Sequence, residues 1–138
     1  MLGTPEQDAF VSSQKWASVT TLRADGSPTS SIVFYAREGD ALIFSTTKDR
    51  LKAKTLMRDN RIAFAVLDDG APYRFVNIEG TAVIDDGDIV PGHIAVNKVM
   101  RGVSEFTPPD GFEDGLRKAG RVIIRVTATR VSGVVNRG

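Results

Sequence analysis

Apolar and polar positions alternate along much of this chain with the period of two that marks a half-buried strand. That alternation, carried by β-branched and aromatic residues, predicts strands over residues 16–23, 29–37, 41–46 and 73–84. A further strand is expected from about 122 to 135, where Val122, Ile124, Val126 and Ala128 alternate with more polar neighbours. The run 62–67, IAFAVL, is apolar on both faces, as a central strand of a barrel or packed sheet would be. Turn chemistry punctuates these segments at Ala24-Asp25-Gly26, at Glu38-Gly39-Asp40, and at Asp68-Asp69-Gly70 with Pro72. The first three strands therefore read as an antiparallel meander. Gly80 interrupts the segment 73–84 and suits a bulge or a sharp bend.

Helical signals are fewer. Residues 4–15 open with Thr4 as N-cap, Pro5 at the first position and acids in the first turn. A basic helix is predicted over about 49–58. Between 85 and 120 the pattern is weakest, with helices expected at 89–101, despite Pro91 and Gly92, and at 112–118 after Pro108-Pro109. Six strands with hairpin turns and few helices predict a mainly β fold with minor α, a small antiparallel barrel forming a single domain over 1–138.

Composition narrows the function classes. A net charge of +1 gives no domain-wide basic excess to attract nucleic acid or an anionic membrane surface. The chain has no cysteine, which excludes disulfides, thiolate metal sites and a thiol nucleophile. It shows no secretion signal and no apolar run of the ~20 residues that cross a bilayer. A soluble cytoplasmic protein is the expectation.

Charge is distributed unevenly, and that changes the picture. The stretch STTKDRLKAKTLMRDNR, residues 45–61, holds six basic side chains (Lys48, Arg50, Lys52, Lys54, Arg58, Arg61) and two acids (Asp49, Asp59). Its balance is +4 while the remainder of the chain sums to −3. Free backbone N–H groups and the helix dipole favour an anion at such a helix start. Arg50, Lys54 and Arg58 share one face at i, i+4 and i+8, so that stripe is either solvated or faces something negative. Lys52 points elsewhere, about 160° from the stripe centre, towards the side where Ala53, Leu56 and Met57 would pack. With Ser45, Thr46 and Thr47 upstream as further donors, the set suits a phosphate. It is not a Walker loop, because GxxxxGK[ST] is absent.

Three pieces in this order, ASVTTLRADGSPTSSIVFY, FSTTKDRLKAKTLMRDNRIAFAVLDD and FVNIEGTAVIDD, resemble the split-barrel flavoproteins similar to pyridoxamine 5′-phosphate oxidase. The middle piece, with its R-x-K-x-(K/R)-x-L-x-R-D-x-R pattern, is the most specific, and RVIIRVTATRVSG is a weaker closing strand. The likeness is greatest to the flavin- and deazaflavin-dependent branch. It implies a six-stranded split β-barrel of the FMN-binding type with short flanking helices, assembled as a homodimer with two equivalent cofactor sites across its interface. It further implies that the phosphate end of coenzyme F-420, or alternatively of FMN, rests on Arg50 and Lys52, with Ser45, Thr46 and Thr47 nearby. The ring would lie along Ser30, Ser31, Ile32 and Val33, and the opposite subunit would contribute from the stretch around Tyr73 and Phe75. Lys48 and Lys54 could meet an oligoglutamate tail.

Other candidates carry less. His93 is the one histidine, without the partners a metal site or a Ser-His-Asp triad needs. Asp85, Asp86 and Asp88 lack EF-hand spacing and read as a solvated turn, so no metal is expected. Trp16 reads equally as a core residue or a flavin-stacking one. Tyr73, Arg74 and Phe75 mix aromatic and basic groups as single-strand binders do, but one such cluster does not make a nucleic-acid surface. No obligatory acid, base or nucleophile stands out, which fits a cofactor-dependent oxidoreductase acting on a small molecule. A flavin or haem carrier without turnover is the alternative.

Overall fold

The computed structural model describes residues 1–70 and 72–136. Helix α1 (Pro5–Ser13) starts at a capping box in which Thr4 and Gln7 satisfy each other's backbone N–H groups. Strands β1 (Trp16–Leu22), β2 (Pro28–Phe34), β3 (Ala36–Glu38) and β4 (Ala41–Thr47) follow. The basic helix α2 (Leu51–Arg58) leads to β5 (Arg61–Leu67) and the long β6 (Phe75–Asp85). Helices α3 (Val90–Arg101) and α4 (Phe112–Lys118) precede the closing strand β7 (Arg121–Val134). No helix among the described residues is long and apolar enough to cross a membrane.

All strands pair antiparallel in one sheet of order β2-β1-β5-β6-β7-β4-β3. The two strands at opposite ends of that order are consecutive in the chain, separated by Tyr35 alone. The sheet edges must therefore meet in space, so the sheet curls into a barrel that stays split where β2 passes β4. The described residues contain seven strands rather than the six expected. The segment 29–37 is not one strand: it leaves β1 at Phe34 and, past Tyr35, pairs with β4 instead. Only Ala36–Glu38 continues the meander, and the predicted pairing of the second strand with 41–46 is limited to that short hairpin.

Tyr35 explains the change of partner. Its ring is buried edge-on against Phe64, 5.4 Å between centroids, and its hydroxyl donates to the Val11 carbonyl at 2.5 Å. Its backbone N–H goes to the Lys15 carbonyl rather than to a ladder. The chain bends to satisfy these groups.

The barrel interior is filled by Val19, Phe44, Phe64, Val66, Ile78, Val122 and Ile124 among others. A second apolar cluster lies outside it, where Ile89 and Val96 of the α3 region cover Ala36, Ile43 and Ile123. Gly92 permits that approach, since a Cβ there would sit 2.9 Å from Ile123. At Gly80 the ladder slips by one residue between β6 and β7, and a Cβ would meet the Thr127 carbonyl oxygen at 2.0 Å. The expected bulge is there.

Replacing Tyr35 with Phe strands the Val11 carbonyl in the core at the joint between the two edges. Equilibrium denaturation should show a loss of about 1–3 kcal/mol; an unchanged midpoint would remove the hydroxyl from the account.

Candidate functional site

Beyond Ile43, strand β4 has β7 on one side and no ladder on the other, because β3 ends there. The end of β2 faces that open stretch. Between them lies a cleft of about 400 Å³, roofed by α3 and α4 and closed at one end by the start of α2. Ile32, Val33 and Phe34 come from β2, Ser45 and Thr46 from β4, and Arg50 and Lys52 from the α2 start. His93, Val96, Asn97 and Met100 come from α3, Leu116 from α4 and Arg121 from the first position of β7.

The cleft is positive at one end. Arg50, Lys52 and Arg121 line it together, and among the described residues none of the three forms an ion pair. Burial, and next the charges of Arg50 and Arg121, push the Lys52 ammonium below its ordinary range. A lysine held half-buried against two guanidinium groups is a site awaiting negative charge. No side chain caps α2, in contrast to the capping box of α1. Thr46 Oγ1, on a residue 2% exposed, has no hydrogen-bond partner. An anion with several acceptor oxygens matches the donors of Arg50, Lys52 and Arg121. The other end is apolar, walled by Ile32, Phe34, Val96, Met100 and Leu116.

A hydrogen-bonded chain crosses the middle. His93 is 3% exposed, its Nδ1 lies 2.6 Å from the Ile89 carbonyl oxygen and its Nε2 2.7 Å from Ser45 Oγ. A carbonyl only accepts, so Nδ1 carries the proton and Nε2 of the neutral ring accepts from the Ser45 hydroxyl. Ser45 Oγ in turn accepts from Arg121 Nη1 at 3.4 Å. Burial foremost, then the Arg121 charge, hold the His93 pKa below 6.5, opposed by the bond to Ile89.

Of the sequence-predicted residues, the cleft gathers Ile32, Val33, Ser45, Thr46, Arg50 and Lys52. The others lie outside its lining. Ser30 bonds Thr20 across the β1–β2 ladder at 2.8 Å, and Ser31 sits beside it on β2. Thr47 donates to Asp49, Lys48 pairs with Asp86 at 3.3 Å on the surface, and Lys54 is exposed. Tyr73 is exposed, with a φ of 58° that is unusual for an aromatic residue, on the turn before β6. Phe75 is half-buried opposite Leu67. Arg74 pairs with Asp68 and lies over the Phe10 ring, so it is engaged within the chain. Arg58 donates to the Leu22 carbonyl and Arg61 grips Asp59. Met57, expected to pack inward, is 69% exposed; Thr55 takes the buried place instead, bonded to Thr21. Among the described residues no group of three metal-ligating side chains forms.

Sequence reasoning missed Arg121 and set His93 aside. The signal available for Arg121 was a basic residue opening a strand directly after a glycine, which is too common to single out. His93 meets Ser45 only through the packing of α3 on β4.

A sequence profile described as pyridoxamine 5′-phosphate oxidase matches residues 4–135. The chain belongs to this family. Solved structures agree with the pyridoxamine 5′-phosphate oxidase-like split barrel. A conserved hypothetical protein from Mycobacterium tuberculosis is 24% identical with a TM-score of 0.82, covering 99% of this chain and 87% of that one. A protein named F-420 reductase is 24% identical with a TM-score of 0.75, covering 94% and 98%. A FAD-binding protein from Mesorhizobium loti is 17% identical with a TM-score of 0.69, covering 96% and 94%. No curated protein sequence matches the chain. These neighbours place the chain in a fold family whose named members include flavin-type proteins.

Because Thr46 Oγ1 is buried without a partner, Thr46→Val should leave the ligand-free protein as stable or raise it by up to about 1 kcal/mol. A clear loss in thermal or denaturant unfolding would show that the hydroxyl is already bonded.

Proposed function

We propose that this chain, acting as one split-barrel domain in a cytoplasmic homodimer, binds coenzyme F-420 in the cleft and transfers hydride to a small unsaturated organic substrate. The observation that carries this reading is the meeting of Arg50, Lys52 and Arg121, none of them ion-paired among the described residues, at one end of a cleft whose other end is apolar. A coenzyme with a phosphate and a planar ring has that polarity. The match to a family described by an oxidase, and the likeness to a protein named F-420 reductase, support the same class.

Within this reading Arg50 and Lys52 hold the phosphate, Arg121 faces it from β7, and Ser45 and Thr46 lie near it on β4. Ile32, Val33 and Phe34 receive the ring edge, while Met100 and Leu116 keep water from the apolar end. Ser30 and Ser31 continue the β2 wall towards it. Lys54, with Lys48 released from a surface ion pair worth little, would meet a polyanionic tail; Thr47 stays beside them. That excess of basic charge is the reason for preferring F-420 to FMN, which is the alternative coenzyme. The exposed Ile32, Met57 and Tyr73 supply apolar surface for a second copy, whose Tyr73 and Phe75 would complete the site. When bound, the deazaflavin supplies the hydride chemistry, and the protein contributes orientation and electrostatics.

One observation favours a second reading, a carrier without turnover. The proton on His93 is committed to the Ile89 carbonyl, so this histidine offers the cleft no acid in its neutral form. With both ring nitrogens bonded it is not free as a haem ligand either, which favours a flavin over haem as the carried group.

Fluorescence titration with F-420 and with FMN should give a micromolar or tighter complex with one of them. Lys52→Ala should weaken that complex by about 1–3 kcal/mol. Binding of neither coenzyme sinks the proposal, and an affinity unchanged by Lys52→Ala removes Lys52 from the phosphate site. Binding without oxidation of the reduced coenzyme by quinones or enones favours the carrier. Sedimentation should return twice the chain mass of 14.9 kDa; a monomer at working concentration would exclude the shared site.

A further inference from the structure

The geometry points to His93 as a positioning residue that ties anion binding in the cleft to proton uptake, by turning Ser45 from a hydrogen-bond acceptor into a donor. The inference builds on the anion end of the proposed coenzyme site, but it requires only an anion there, not a particular coenzyme.

In the neutral ring Nδ1 donates to the Ile89 carbonyl, so Nε2 must accept and the Ser45 hydroxyl must point at it. Ser45 then presents only lone pairs to the cleft, and Arg121 Nη1 occupies one. Protonation at Nε2 reverses the bond. Nε2 donates to Ser45 Oγ, the hydroxyl proton is released towards the cleft, and a full positive charge is added behind it. Both changes favour a bound anion.

The charged groups around the ring all push the same way. Arg121 reaches the chain from β7, and Arg50 and Lys52 face the cleft from the start of α2. Strand β2 offers Ile32, Val33 and Phe34, and α4 offers Leu116, none of them titratable. On α3 itself the Asn97 amide donates to the His93 carbonyl. Arg125, further along β7, is matched by Glu38 and Asp85. Without an anion, burial foremost and then the Arg121 charge keep the ring neutral. An anion offsets the second of these. The sign follows by linkage: a ligand that raises the His93 pKa binds more tightly as pH falls.

Sulfate is the suitable probe, because its charge is constant across the histidine range. As the chain has one histidine, a single imidazole Cε1–H resonance reports the ring. In low-salt chloride buffer it should titrate below the ordinary 6.5, and saturating sulfate should move the titration upwards. Sulfate affinity should rise between pH 8 and pH 5 by about tenfold for each pKa unit so gained. His93→Gln, which keeps an amide donor and acceptor, should bind sulfate with no pH dependence over that range. A resonance whose titration sulfate leaves in place, or a folded protein that binds no sulfate, overturns the inference. Failure of F-420 and FMN to bind would leave this result standing, so the two readings fail separately.

Discussion

One residue joins the two edges of this sheet. Because β2 and β3 sit at opposite ends of the strand order and meet through Tyr35 alone, the sheet has to close on itself. Because β3 pairs only with residues 41–43, closure stops short and leaves the last part of β4 facing the end of β2 across a gap. The cleft is that gap. Its location depends on a buried tyrosine whose hydroxyl, ring and backbone N–H are all satisfied by groups on one side of the bend. Elsewhere neighbouring strands of the wall are joined by antiparallel ladders. The cleft thus arises from a ladder left unfinished rather than from an added loop.

Charge then gives the gap its chemistry. Basic residues are spread over the whole surface, and several are answered locally: Arg37 by Asp8 and Asp40, Arg61 by Asp59, Arg125 by Glu38 and Asp85. Arg50, Lys52 and Arg121 line the cleft together and form no ion pair among the described residues, with Lys52 and Arg121 partly buried. Like charges so arranged oppose folding, and the opposition is lifted by any anion that enters. Stability alone would place an acid among them.

Much of the fold was legible in the sequence because strand alternation and Asp-Gly or Gly-Asp turns are local signals. The basic helix was legible for the same reason, and its inward Lys52 could be separated from the exposed stripe by angle alone. The joint at Tyr35 could not be read. Phe34 and Tyr35 are β-favouring and Ala36 is apolar, so nothing in the pattern marks a strand that changes partner. His93 and Arg121 were out of reach for a different reason. Each acquires meaning from Ser45, which lies far away in the chain and is brought near by α3 packing and by the β4–β7 register.

That register has its own source. The core-facing side of β7 passes from Val122, Ile124 and Val126 to Val131 and Val135, a change of parity across one bulged step opposite Gly80. A strand with one uninterrupted phase could satisfy the barrel interior at one end only. The bulge lets the two halves of β7 obey different neighbours: the later half follows the curvature of β6, and the earlier half keeps Arg121 and Ile123 outward beneath α3. The bare backbone at Gly80 therefore acts as a phase adjuster for the later half of β7, while the direction in which Arg121 faces is set by its register with β4.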